Sequence, residues 1–103
     1  MLDTDNGDLL LDADLRHFCL RAREGGWAQR LSIGVERMVY LLRDGHGGVL
    51  LLDTPEHGAW GWRYTSWHEA GFLLARLLVV LDADGWNVCM ERGPAYHLSL
   101  EHV

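Results

Sequence analysis

The segment 57–69, HGAWGWRYTSWHE, gathers three tryptophans, a tyrosine and two histidines into thirteen residues. Two kinds of chemistry use such residues. The first is acid–base or metal chemistry. His57 and His68 stand near Asp53, Glu56 and Glu69, and an imidazole beside a carboxylate is the usual proton-transfer pair. A small metal-dependent enzyme would use His57, His68 and Glu69. A zinc site would have to collect His57, His68 and Cys89 from separate segments. No motif stands behind either reading, because the chain holds no HExxH, CxxC, nucleophile elbow, phosphate loop or dinucleotide fingerprint. GHGG at 45–48 reads as a hairpin turn. DTDNGD at 3–8 lacks the glycine and glutamate of a calcium loop at their required places. The expectation is a non-enzymatic protein with no cofactor and no metal.

The second kind is recognition. AWGWRYT (59–65) alternates, so Trp60, Trp62 and Tyr64 share one face of a strand. Ala59, Gly61, Arg63 and Thr65 share the other. Three large rings on one face are hard to pack in a small core, and each buried indole needs a partner for its N–H. Trp, Tyr and Arg are also the usual anchors of protein interfaces. The stripe could be core or working surface, and the expectation is divided: Trp67 and one or two of the strand aromatics in the core, and at least one tryptophan at a binding surface. If the small face lies against something large, the aromatics face outward. The candidate contact residues are therefore Trp60, Trp62, Arg63 and Tyr64. Asp3, Asp5 and Asp8 join them as an acidic arm for a basic, nucleic-acid-binding surface of a partner protein.

Charge narrows the classes further. Fifteen acids against nine bases leave a net charge of −6, and every base is arginine. Arg16, Arg21, Arg23 and Arg30 form a local basic cluster, but an acidic chain is poorly suited to phosphate backbones. No direct nucleic-acid partner is expected. Two cysteines, Cys19 and Cys89, read as small hydrophobes. The apolar runs are too short to span a bilayer and the N-terminus is acidic, so a cytoplasmic protein without a membrane partner is expected.

A chain of 103 residues builds one domain with one modest core. Residues 1–8 read as a flexible acidic tail and 9–103 as the domain. Leu15, Phe18, Cys19 and Ala22 mark a helix over 12–24, with Asp12 at its cap and Gly25–Gly26 as its stop. Residues 27–43 fit helix or strand, with strand favoured by the alternation of Leu31, Ile33 and Val35. VLLLD (49–53) reads as a strand buried on both faces. Ser66 and Glu69 form a capping box that opens a helix running to about Leu81. WNVCMER and AYHLSLEH read as a closing hairpin. The fold class is α+β, ordered α-β-β-β-α-β-β, a mostly antiparallel sheet covered by two helices.

In element order and acidity the chain resembles the type III secretion chaperones. That resemblance implies a homodimer that holds an unfolded effector segment. Those chaperones close with a helix, where this sequence has HLSLEHV. In size, charge and lack of catalytic motifs the chain is also similar to phage-encoded antagonists of host defence, including anti-CRISPR proteins, and to immunity proteins. The favoured expectation is an inhibitor or antagonist that blocks or sequesters a partner protein.

Overall fold

VLLLD offers apolar side chains to both sides of a strand, and the architecture follows from covering both. The computed structural model of the chain describes residues 9–34, 36–44, 47–54, 58–81 and 88–93. Helix α1 (Asp12–Arg23) precedes four strands: β1 (Gln29–Ile33), β2 (Arg37–Asp44), β3 (Gly47–Thr54) and β4 (Gly58–Tyr64). Helix α2 (Trp67–Val80) and strand β5 (Val88–Arg92) follow. The strands form one antiparallel sheet in the order β4-β3-β2-β1-β5. β1 to β4 are a simple meander. The chain then passes through α2 to the opposite edge, where β5 pairs with β1 and sets Met90 opposite Leu31.

One helix covers each face of this single α+β domain. Leu50 and Leu52 of β3 join Leu31, Ile33, Val39 and Leu41 beneath Ala70, Leu73 and Leu77 of α2. Val49 and Leu51 join Leu42 beneath Phe18 and Ala22 of α1. β3 is an interior strand, paired on both sides and buried nearly throughout, as its composition requires.

Several sequence expectations resolve here. Residues 27–43 are two strands, separated by a turn in which Gly34 takes a φ of 67°. The order among the described residues therefore has four strands before α2. The first arm of the expected closing hairpin is β5. The second, AYHLSLEH, lies outside the described residues, as does the acidic tail 1–8. Asp12 is not the cap of α1. Leu11 holds that position without a side-chain bond, and Asp12 and Asp14 occupy the first turn. The double glycine stops α1 as expected. Gly25 sits at a φ of 87°, and Gly25 and Gly26 donate to the carbonyls of Ala22 and Arg21.

The start of α2 carries its predicted cap. The Glu69 N–H donates to Ser66 Oγ at 3.2 Å. The Glu69 carboxylate reaches back to Thr65, accepting from its hydroxyl at 2.7 Å and its N–H at 3.3 Å. The strand before it is tied down by Tyr64, whose hydroxyl donates to the Leu42 carbonyl on β2 at 2.7 Å. To get there the ring must cross β3. It does so over Gly48, the residue paired with Tyr64, where a Cβ would collide with the phenol and with the Leu42 carbonyl.

Two substitutions measure this crossing. Tyr64→Phe leaves the buried Leu42 carbonyl without its phenol and should cost about 1–2 kcal/mol. Gly48→Ala forces the ring aside and should cost about 2–3 kcal/mol. Urea unfolding of both variants checks the order, and a Gly48→Ala protein as stable as wild type would show that the ring does not lie there.

Candidate functional site: the groove beside the first helix

Two of the three residues of the aromatic stripe are core, and the third packs against it. Trp62 and Tyr64 are 3% and 2% exposed and lie under α2 with Leu73 and Leu77, while Trp60 is half-buried against the same cluster. Tyr64 stacks on Trp67, with ring centroids 6.0 Å apart and planes 22° from parallel. Trp62 and Tyr64 are therefore corrected as contact residues. The reason is physical. The small face of β4 does lie against something large, since Leu10 and Leu15 fill the space beside Gly61, where a Cβ would stand 2.6 Å from Leu10 Cδ1. That turned the aromatics away from α1, but a second helix waits on their side. The buried Trp67 Nε1 has no hydrogen-bond partner. Such a donor costs stability, and α2 tolerates it in exchange for the ring's packing.

Arg63, the charged residue of the strand's candidate set, points to the α1 side. Its guanidinium lies 5.6 Å from the Phe18 ring centroid and 3.7 Å from the Asp14 carboxylate. Arg21 approaches the same ring at 5.4 Å and donates to the Arg43 carbonyl at 2.8 Å. Phe18 is thus the buried pin of α1, flanked by two arginines. Asp3, Asp5 and Asp8 lie outside the described residues.

Next to this pin, α1 and the edge strand β4 leave a groove of about 360 Å³ lined by Leu15, Arg16, Cys19, Leu20, Arg23 and Ala59. Its walls are apolar. Arg16 and Arg23 are exposed, and neither forms a hydrogen bond or ion pair among the described residues. They stand seven residues apart, which on a helix places them on one face about 10 Å apart along the axis. Leu20 and Leu11 of the same region are 57% and 77% exposed. The expected basic cluster is therefore divided. Arg21 is occupied as described, and Arg30 on β1 grips Glu91 of β5 at 2.8 Å, which raises its guanidinium above its usual value. Arg16 and Arg23 alone remain available.

Cys19 sits in this groove, half-buried, and its thiol is pushed up from its ordinary value. Burial is the main cause. Asp53 adds to it and Arg23 opposes it. A thiol so placed is shifted toward its protonated form and lines the wall of the groove.

Of the acid–base candidates, His68 and Glu69 lie among the described residues and are each engaged within α2 or its cap. Glu69 is committed to Thr65 in the α2 cap. His68 lies edge-on to Phe72 on the outer side of α2, with centroids 4.9 Å apart. His57 and Glu56 lie outside the described residues. Among the described residues no three His, Cys, Asp or Glu side chains are placed to hold a metal ion. No helix among them is long and apolar enough to cross a membrane.

No family profile, curated protein or solved structure matches the chain.

The two cysteines test the groove's chemistry. Cys89 on β5 is exposed, whereas Cys19 is half-buried with a raised pKa. Iodoacetamide at pH 7.5 should modify Cys89 first, with Cys19 gaining speed only as the pH rises above the ordinary thiol range. Site-resolved mass spectrometry reads both rates, and faster alkylation of Cys19 would contradict this placement.

Proposed function

We propose that this chain is a non-enzymatic protein-binding module that works by occupying a partner, in the manner of an inhibitor or antagonist. The groove between α1 and β4 is its contact. One observation carries the proposal. The apolar groove is bracketed by Arg16 and Arg23, which have no hydrogen-bond or ion-pair partner among the described residues, although the chain as a whole is acidic. Two exposed guanidiniums beside an apolar slot suit a protein surface that presents an apolar side chain with carboxylates on either side of it. Arginine is well matched to that task because its planar fork binds a carboxylate through two parallel N–H bonds.

The acidic residues Asp3, Asp5 and Asp8 act at longer range in this reading. They favour approach to a partner that also carries a basic surface, such as one that binds nucleic acid, and so raise the rate of encounter. The groove supplies the short-range grip. An antagonist of the anti-defence or immunity kind is the class that such a division of labour fits.

The test is affinity capture followed by titration. The wild-type protein is compared with an Arg16→Glu, Arg23→Glu variant, whose substitutions lie on an exposed helix face and leave the core untouched. Loss of two charge-assisted contacts, each about 1.5–3 kcal/mol, should weaken partner binding by more than about 100-fold. The bound partner should also protect Cys19 from alkylation. A partner held equally by both proteins, with Cys19 unprotected, would place the contact elsewhere.

A further inference from the structure

Helix α2 is apolar on the side that faces away from the sheet as well as on the side that covers it. Its inner residues Ala70, Leu73 and Leu77 are buried. On the opposite side His68, Phe72, Ala75 and Val79 recur at i, i+4, i+7 and i+11, the spacing of a single helical face. All four are exposed, Phe72 at 52% and Val79 at 80%, with Val80 beside them at 50%. A helix that is hydrophobic all round is normally covered all round.

Gly71 lies next to this stripe. It is an interior helix position, where glycine is among the least favourable residues. Nothing in the chain calls for it, since a Cβ built at Gly71 meets no atom within 4 Å. The conformation does not call for it either, because Gly71 is not among the glycines with positive φ. A glycine there gains a purpose if another backbone approaches closely. With Ala75 and Val79 it forms an i, i+4, i+8 ridge of small and medium side chains, and such ridges let two helices cross at short range.

Charge selects what crosses there. The chain carries a net −6, so two copies repel each other through most of their surface. The outer side of α2 is the exception. Between residues 67 and 80 the only charged side chains are Glu69, which is tied to Thr65, and Arg76, which already has a partner in its own chain. A neutral apolar face on an acidic protein is where a second copy approaches at least cost. The face also complements itself. A two-fold axis near Ala75 sets Phe72 of each copy against Val79 of the other, with Ala75 at the crossing and Gly71 one turn from it in the contact.

We propose that the outer face of α2 is a homodimer contact, in which two α2 helices cross at Ala75 with Gly71 in the contact one turn away. It is independent of the α1 groove, which lies on the other face of the sheet and stays open in the dimer. Two faces of this length bury together roughly 1,000 Å², the low end for a specific interface. The dimer is therefore weak, with a dissociation constant on the order of 10–100 μM.

Sedimentation equilibrium of the whole protein from about 5 μM to about 500 μM tests this, with Ala75→Glu and Gly71→Ala beside wild type. Wild type should pass from monomer to dimer across the range. Ala75→Glu, a change at an exposed position, should stay monomeric with an unchanged circular dichroism spectrum. Gly71→Ala should move two readouts in opposite directions. Its melting temperature at low concentration should rise, because the added methyl improves the helix and meets open space. Its dimerisation should weaken at least 10-fold, because the same methyl separates the crossing helices. A wild type monomeric at all concentrations overturns the proposal and leaves the face to a different protein. Dimerisation unaffected by both substitutions overturns it as well.

Discussion

A strand that is apolar on both sides cannot lie on a one-sided sheet. β3 carries Leu50 and Leu52 on one face and Val49 and Leu51 on the other, and all four are almost fully buried. Each leucine or valine left in water would forfeit about 1.5–3 kcal/mol. That constraint fixes the rest. The sheet must have a helix on each face, the meander places β3 inside, and the chain must supply one helix before the sheet and one after β4. α1 covers the Val49–Leu51 side and α2 the Leu50–Leu52 side. The aromatic stripe of β4 is then caught under α2 whatever its individual residues would prefer.

Covering both faces has a consequence for the outside. A three-layer domain of this size has two helices whose far sides face water, and those sides take up the chain's remaining surface chemistry. On α1 the far side is mixed, with arginines, Leu20 and the groove against Ala59. On α2 it is nearly uncharged. The two helices thus differ in what they can meet. One offers positive charge around an apolar slot, and the other offers a bare hydrocarbon ridge. Both differ from the net acidity of the chain, which is what singles them out as the proposed contact surfaces.

Much of this was legible from the residues. The capping box at Ser66 and Glu69, the glycine stop at 25–26 and the two-sided burial of VLLLD each rest on a local rule with one outcome. The orientation of the aromatic stripe does not. Alternation with period two groups Trp60, Trp62 and Tyr64 on one face, but which face is decided by helices some distance away in sequence. The pairing of β5 with β1 is hidden for the same reason. A strand following a helix carries no sign of which sheet edge it will join. Arg16 and Arg23 were visible only as members of a basic cluster. Their seven-residue spacing around Leu15, Cys19 and Leu20 was the signal that separates them from Arg21 and Arg30, whose partners on β2 and β5 appear only when the chain is folded.

The placement of the aromatic strand beneath α2 decides which surfaces are free to act, and one substitution tests it most directly. Trp62→Ala removes a side chain that is 3% exposed. A buried indole at this position means a loss of about 3–5 kcal/mol in equilibrium urea unfolding. A Trp62→Ala protein within about 0.5 kcal/mol of wild type would instead mark Trp62 as a surface residue. That result would return the aromatic stripe to the working surface and remove the case for the helices.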